Sequence, residues 1–156
     1  MSAASTTGLA VRPARLEDAP RIVDFNHRLA SETEQKDLDR ATLAKGVDAI
    51  LREPRLGRYF VAVAGERIVG QVAFTEEWSD WRNGSIWWLQ SVFVDEAWRG
   101  RGVFRLLLNQ VSALARETGV IGLRLYVERH NQRAQATYAR NGFRDAGYAV
   151  MERIPL

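Results

Sequence analysis

The stretch DEAWRGRGVFRLLL, Asp95 to Leu108, decides the fold. Two glycines stand between arginines and a helical pattern begins at once: Val103, Leu106, Leu107, Val111 and Leu114 recur at three- and four-residue spacing until Gly119 offers a C-terminal cap. A helix N-terminus presents unpaired N–H groups and a partial positive charge, and glycines before it let a bulky anion approach the backbone. RGRG therefore reads as an anion cradle. Gly100 and Gly102 clear the turn of side chains, the amides of Arg101 to Arg105 face the anion, and Arg99, Arg101 and Arg105 add charge. The ligand suggested is a pyrophosphate. On this stretch alone the plainer reading, a tight strand-to-helix turn, stays open. Neither a GKS or GKT nor a GxGxxG with a later acid is present, so the two common nucleotide loops are set aside.

Working outward, RYFVAVA, RIVGQVAFTEEW and SIWWLQSVFV read as three antiparallel strands, with a turn at Gly65 and a hairpin using Asn83 and Gly84. Before them, LEDAP sets Glu17, Asp18 and Pro20 at a helix start. Ile22, Val23, Asn26, Leu29 and Ala30 share its buried face until SETEQKD breaks the pattern. Asp39 caps a second helix striped by Leu43, Val47, Ile50 and Leu51 and stopped by Pro54, and a short apolar segment at residues 10–12 is the first strand. After the motif, LRLYVE is a strand, Asn131 caps a short helix ending at Gly142, and a last strand covers Tyr148 to Ile154. The order is βααβββαβαβ, an α/β (α+β) chain with a mixed sheet and a parallel pair at its βαβ crossover.

Thirty residues beyond the glycines stands NQRAQATYARNGF. Strand, RGRGV, helix, strand and NxxAxxxYxxxGF, in that order from Val92 to Phe143, resemble motifs A and B of the GCN5-related N-acetyltransferase (GNAT) superfamily. The resemblance implies a mostly antiparallel sheet of six to seven strands flanked by about four helices, with residues 1–8 a flexible N-terminus and 9–156 a single domain. It implies acetyl-CoA as cosubstrate, its pyrophosphate on the amides of Gly100 to Arg105 (Gly100, Arg101, Gly102, Val103, Phe104, Arg105) with Arg99 nearby. Its pantetheine arm would pair with the backbone of Val92, Phe93 and Val94 where the fourth strand splays from the fifth. One position departs from the family pattern: Phe104 stands where a small residue is usual, and its ring either crowds the phosphates or turns aside.

The implied chemistry is direct attack of a primary amine on the thioester, with Tyr138 as general acid to the leaving thiolate and Asn131 as helix cap and polar contact. A core aromatic is the competing reading of Tyr138. Lysine-acetylating relatives carry a glutamate on the fourth strand, but SIWWLQS offers none. The base is sought instead at Glu76 or Glu77, Asp80, and Glu32 or Glu34, with Glu76 the choice; strand alternation admits only one of Glu76 and Glu77 to the cleft. EEWSDWRNGSIWW holds four of the five tryptophans, read either as rings buried against the first helices or as an acceptor wall in which Trp78 and Asp80 meet the amine, with Glu32 closing the site.

Composition agrees with one globular domain: 156 residues, 46% hydrophobic and 26% charged. With no cysteine, thiolate chemistry and disulfides are absent, and two histidines, His27 and His130, make a histidine metal centre improbable, so no metal is expected. The net charge of +3 has no basic tail or block, which argues against nucleic acid. No apolar run approaches the roughly 20 residues of a membrane span and MSAASTTGLA lacks a secretory pattern, so the expectation is cytoplasmic. A small-molecule amine is the expected partner, and the superfamily implies a homodimer. A CoA-binding sensor or regulatory module without turnover is the alternative.

Overall fold

The computed structural model describes residues 8–156; the expected flexible N-terminus lies almost wholly outside the described residues. The chain runs β1 (Leu9–Pro13), α1 (Ala19–Glu34), α2 (Arg40–Arg52), β2 (Arg58–Ala64), β3 (Arg67–Ser79), β4 (Gly84–Val94), α3 (Val103–Glu117), β5 (Gly122–Leu125) and α4 (Gln132–Arg140). The five strands lie side by side in sequence order, antiparallel except for β4 and β5. β4 and β5 are joined through α3, as a parallel crossover requires, whereas α1 and α2 connect the antiparallel β1 and β2.

Both faces of the sheet are covered. Val103, Leu107 and Val111 of α3 pack on Phe60, Val72, Phe74, Trp87 and Leu89, with the Phe74 and Trp87 rings stacked 4.5 Å apart. On the opposite face Ile22 and Phe25 of α1 and Val47 of α2 pack on Tyr59, Val61, Ala73 and Phe93. Local signals set the helix ends. The Asp39 carboxylate accepts from the N–H of Thr42 at 2.8 Å, Asn131 accepts from Ala134 at 3.0 Å, and Pro20 sits in the first turn of α1. Among the described residues no helix is long and apolar enough to cross a membrane.

Three expectations are corrected. The sheet has five strands instead of six to seven, because Tyr148 to Ile154 forms none: Tyr148, Val150, Met151 and Ile154 are exposed and belong to neither core. β5 ends at Leu125, short of Glu128, where its register with β4 runs out. α1 continues through Ser31 to Glu34 before Gln35 turns left-handed at φ 53°, because the polar residues of SETEQKD face outward and leave the helix intact. Glu32 and Glu34 thus project from a helix and not from a loop.

The feature that shapes the rest is one extra residue in β4. Ala73 pairs with Gln90, yet Gln71 pairs with Phe93, so two steps on β3 match three on β4 and Ser91 adopts φ 50°. The bulge reverses which way the strand's side chains point: Leu89 faces α3, whereas Phe93 faces α1 at 4.9 Å from the Phe25 ring. A buried amide chain supports it. Gln71, fully buried, donates to the Ser91 carbonyl at 3.1 Å and to Asn26 Oδ1 at 3.0 Å, and Asn26 donates to the Tyr59 hydroxyl at 3.0 Å. The remaining Gln71 oxygen has no partner among the described residues, a cost the arrangement bears.

Two predictions follow from these buried polar groups. Gln71→Leu strands Asn26 and the Ser91 carbonyl and is expected to cost about 1–3 kcal/mol in urea denaturation, whereas Gln71→Leu with Asn26→Leu should cost less than the sum of the two single changes. Asp18, 6% exposed, accepts from both Arg12 amino groups at 2.7 and 3.0 Å, tying β1 to the start of α1. The Arg12 hydrogen bonds hold its carboxyl below the ordinary value against the opposing effect of burial, and the Arg15 N–H assists. A depressed folded-state value gives stability that is complete above the ordinary carboxylate range and lost as pH falls through the folded value. Asp18→Asn should therefore cost about 2–4 kcal/mol at neutral pH, and the gap between variant and parent should narrow in acid.

Candidate active site

β4 and β5 pair only from Ile86 with Gly122 to Leu89 with Leu125. Beyond the bulge β4 continues alone to Val94, and the space beside it opens into a cleft of about 1140 Å³ bounded by the end of α1, the start of α3 and α4. Val92, Phe93, Val94, Arg99, Gly100, Gly102, Val103, Phe104, Arg105, Asn131 and Tyr138 all line it.

The start of α3 has the form expected of an anion site. Gly100 and Gly102 adopt φ 74° and 80°, a region L side chains rarely enter, and Gly102 occupies the N-cap with no side chain to satisfy the first-turn amides. A Cβ built on either glycine meets nothing within 4 Å, so the turn faces open space. The N–H groups of Val103 to Arg105 and the helix dipole point there, with Arg105, Arg133 and Arg140 on the cleft walls. These residues fit a diphosphate.

Not all the arginines of the motif serve it. Arg99 turns back, donating from Nε to the Val94 carbonyl at 3.0 Å and from Nη2 to Glu32 at 2.7 Å, with its guanidinium 5.4 Å from the Phe93 ring. It clamps α1 to the end of β4, and Glu32 is its partner. Arg101 lies over the Trp98 ring at 5.2 Å, outside the cleft lining. The turn is further anchored by buried Asp95, which accepts from Arg21 at 2.8 Å and Arg67 at 3.2 Å; burial pushes its carboxyl up, but the Arg67 bond and the charges of Arg28 and Arg21 outweigh it and hold the value low.

Phe104 turns aside. Its ring meets Tyr138 edge-on at 5.6 Å, and the Phe143 ring meets Tyr138 edge-on at 5.8 Å. Two rings thus pack on the phenol, and burial pushes its pKa above the ordinary 10. Among the described residues its hydroxyl makes no hydrogen bond, which leaves it to a ligand. Ala134, Thr137, Tyr138 and Asn141 follow one another at helical spacing and form the α4 wall of the cleft.

A smaller cavity of about 270 Å³ adjoins the cleft. Leu89, Gln90, Ser91 and Tyr126 line it, and Leu29, Thr33, Val92, Asn131, Ala134 and Tyr138 line both spaces, so Tyr138 stands at their junction. Glu34 and Glu128 are the carboxylates common to both linings.

Glu76, Trp78 and Asp80 are not brought to either space. Alternation from Phe74 puts Glu76 and Trp78 on the α3 face, where Glu76 accepts from Ser85; Trp78 and Trp81 are 62% and 83% exposed near the hairpin tip, and Asp80 accepts from the Trp81 N–H. The tryptophans build no common wall. Trp87 is buried under α3 and not against the first helices, and Trp88 lies on the other face, donating to Glu77 at 2.8 Å and packing on Tyr126. Glu128 escapes a reading of the sequence because it closes the expected strand LRLYVE, whose pattern gives its last residue no other role. Its one signal is its place three residues before the capping Asn131. Among the described residues no three His, Cys, Asp or Glu side chains gather as a metal site.

A model of the acetyltransferase (GNAT) family matches residues 19–143. Among solved structures, a possible acetyltransferase from Clostridium difficile 630 is 40% identical, with 95% of this chain and 98% of that chain covered and a TM-score of 0.87. A ribosomal-protein-alanine N-acetyltransferase from Brucella melitensis biovar Abortus 2308 (16% identical, 94% and 99% covered, TM-score 0.77) and a transcriptional regulator from Bacillus halodurans C-125 (19% identical, 94% and 99% covered, TM-score 0.79) share the fold. No curated protein matches the sequence. The family match spans the bulged strand, the glycine turn and the helix of Tyr138 together, and the chain belongs to the GNAT acetyltransferase family.

Proposed function

We propose that this chain is a cytoplasmic N-acetyltransferase that moves the acetyl group of acetyl-CoA to the primary amine of a small molecule, with Tyr138 as general acid. The observation that carries the reading is the place of Tyr138 between a cleft large enough for a nucleotide-sized cosubstrate and a cavity of about 270 Å³ suited to a small acceptor. Acetyl-CoA supplies an acyl group activated as a thioester. The first-turn amides of α3 hold its diphosphate, and the lone edge of β4 from Val92 to Val94 orients the arm toward Tyr138, with the Asn131 side-chain amide beside it.

Tyr138 donates its proton to sulfur as the C–S bond breaks. The phenol is protonated at neutral pH, as a donor must be; the desolvation that raises its pKa weakens it as an acid, so the proton passes only as negative charge develops on sulfur. The acceptor enters from the smaller cavity, where Glu34 and Glu128 attract the ammonium and take up the proton it must lose before attacking. Because Glu76 faces the other side of the sheet, these two replace it as candidate bases.

Tyr138→Phe is expected to lower kcat by roughly 10- to 1,000-fold with little change in acetyl-CoA affinity, since it removes the proton and leaves the ring packing. Thiol release over a panel of primary amines measures it, and an unchanged rate removes the acid assignment. A parent protein that binds acetyl-CoA but releases no thiol with any amine is the non-catalytic module instead. Gly102→Asp sets a carboxylate beside the diphosphate site at φ 80° and should weaken acetyl-CoA binding at least tenfold by calorimetry. Equal affinity would place the diphosphate elsewhere.

A further inference from the structure

The wall of the cleft carries more positive charge than a diphosphate on the α3 amides requires. Two of the carboxylates that line it are already joined to cations: Glu32 to Arg99 at 2.7 Å and Glu34 to Lys36 at 3.0 Å. Glu128 accepts instead from the His130 N–H at 2.8 Å. Arg105, Arg133 and Arg140 also line the cleft, are exposed, and make no ion pair among the described residues. Arg105 falls in the first turn of α3, beside the amides. The other two stand on a different element. α4 sets Arg133 and Arg140 about 10 Å apart along its axis, with Thr137 between them on the same face. The Thr137 hydroxyl donates to the Arg133 carbonyl at 3.1 Å and accepts from Arg140 Nη2 at 3.2 Å, so the Arg140 guanidinium is turned back toward the middle of the helix. Among the described residues its remaining N–H groups have no acceptor.

The proposed cosubstrate has a second anionic group of a different kind. Backbone amides and a helix dipole suffice for a diphosphate without any side-chain cation. The 3′-phosphate on the ribose of CoA is a monoester with close to two negative charges, a group that guanidinium forks bind in bidentate fashion. We propose that Arg133 and Arg140 hold this 3′-phosphate, so that the chain selects the complete coenzyme over its dephosphorylated form; the proposal rests on the reading that acetyl-CoA is the cosubstrate. The assignment also gives α4 an anchor. That helix has no fully buried residue, yet it carries Tyr138, and an ionic tie between its arginines and the ligand would draw it onto the molecule that bears the thioester.

The test compares acetyl-CoA with acetyl-3′-dephospho-CoA, two thioesters that differ only in this phosphate, by calorimetry on the full chain and on Arg133→Gln with Arg140→Gln. Both positions are exposed and glutamine keeps the helix propensity, so the fold of the variant should hold by far-UV circular dichroism. The parent should bind acetyl-CoA about 10- to 100-fold more tightly than the dephosphorylated thioester. The variant should bind both with the affinity that the parent shows for the latter. Arg58→Gln, at an exposed arginine outside the cleft lining, should keep the parent's preference and so separates a local contact from net charge. A parent that binds the two thioesters equally overturns the proposal, as does a double variant that keeps the preference. A double variant that loses affinity for both alike overturns it too and assigns the arginines to the diphosphate. A parent that binds neither thioester overturns the cosubstrate reading itself, and this proposal with it.

Discussion

The structure depends on one residue too many in β4. A strand without the bulge at Ser91 would keep Phe93 on the α3 side with Leu89, remove it from Phe25 and continue beside β5 past Leu125. The extra residue instead lets β4 serve two layers, pairing with β5 below Ser91 and packing on α1 above it. The cleft is the volume between strands that have parted. A non-glycine residue at positive φ is unfavourable by itself, and the side chains of Gln71, Asn26 and Tyr59, all buried, hold it there. The site is thus tied to α1 and β2, neither of which supplies the glycine turn.

The proposed diphosphate site is made of amides, so its strength lies in how firmly the turn before α3 is held. Arg99 and Asp95 both serve this end. Arg99 closes an ion pair with Glu32 and bonds the Val94 carbonyl, while Asp95 gathers Arg21, Arg28 and Arg67 from α1 and β3. Charges that a linear reading assigns to the ligand are used to fix the backbone that meets it. Phe104 follows the same logic. A small residue leaves room beside the phosphates, whereas the phenyl ring at 5.6 Å from Tyr138 leans away from the turn and fixes the phenol.

What is legible in the sequence is what short-range geometry determines. Asp39 and Asn131 cap because a carboxylate or amide reaches an N–H three residues on, and Gly102 takes positive φ because only glycine does so freely. The crossover from β4 through α3 to β5 follows from periodicity. Ser91 carries no such mark: its conformation is imposed by Gln71, twenty residues away in sequence. The side on which Glu76 falls depends on strand register against α3, and the end of β5 depends on where β4 departs, so neither appears in a local pattern. Tyr148 to Ile154 does read as a strand by composition, yet it pairs with none of the five strands.

The bulge and the tyrosine also constrain each other. Tyr138 reaches the junction of the two spaces only because α4 follows a β5 that stops at Leu125, and β5 stops there because β4 has turned away at Ser91. Had β5 run to Glu128 in register with β4, the segment from Tyr126 to Glu128 would be locked in the sheet and Glu128 could not face both spaces. The same loss of pairing that opens the cleft therefore brings the Tyr138 phenol and the Glu128 carboxylate to the lining of both spaces, each on a segment released from the sheet.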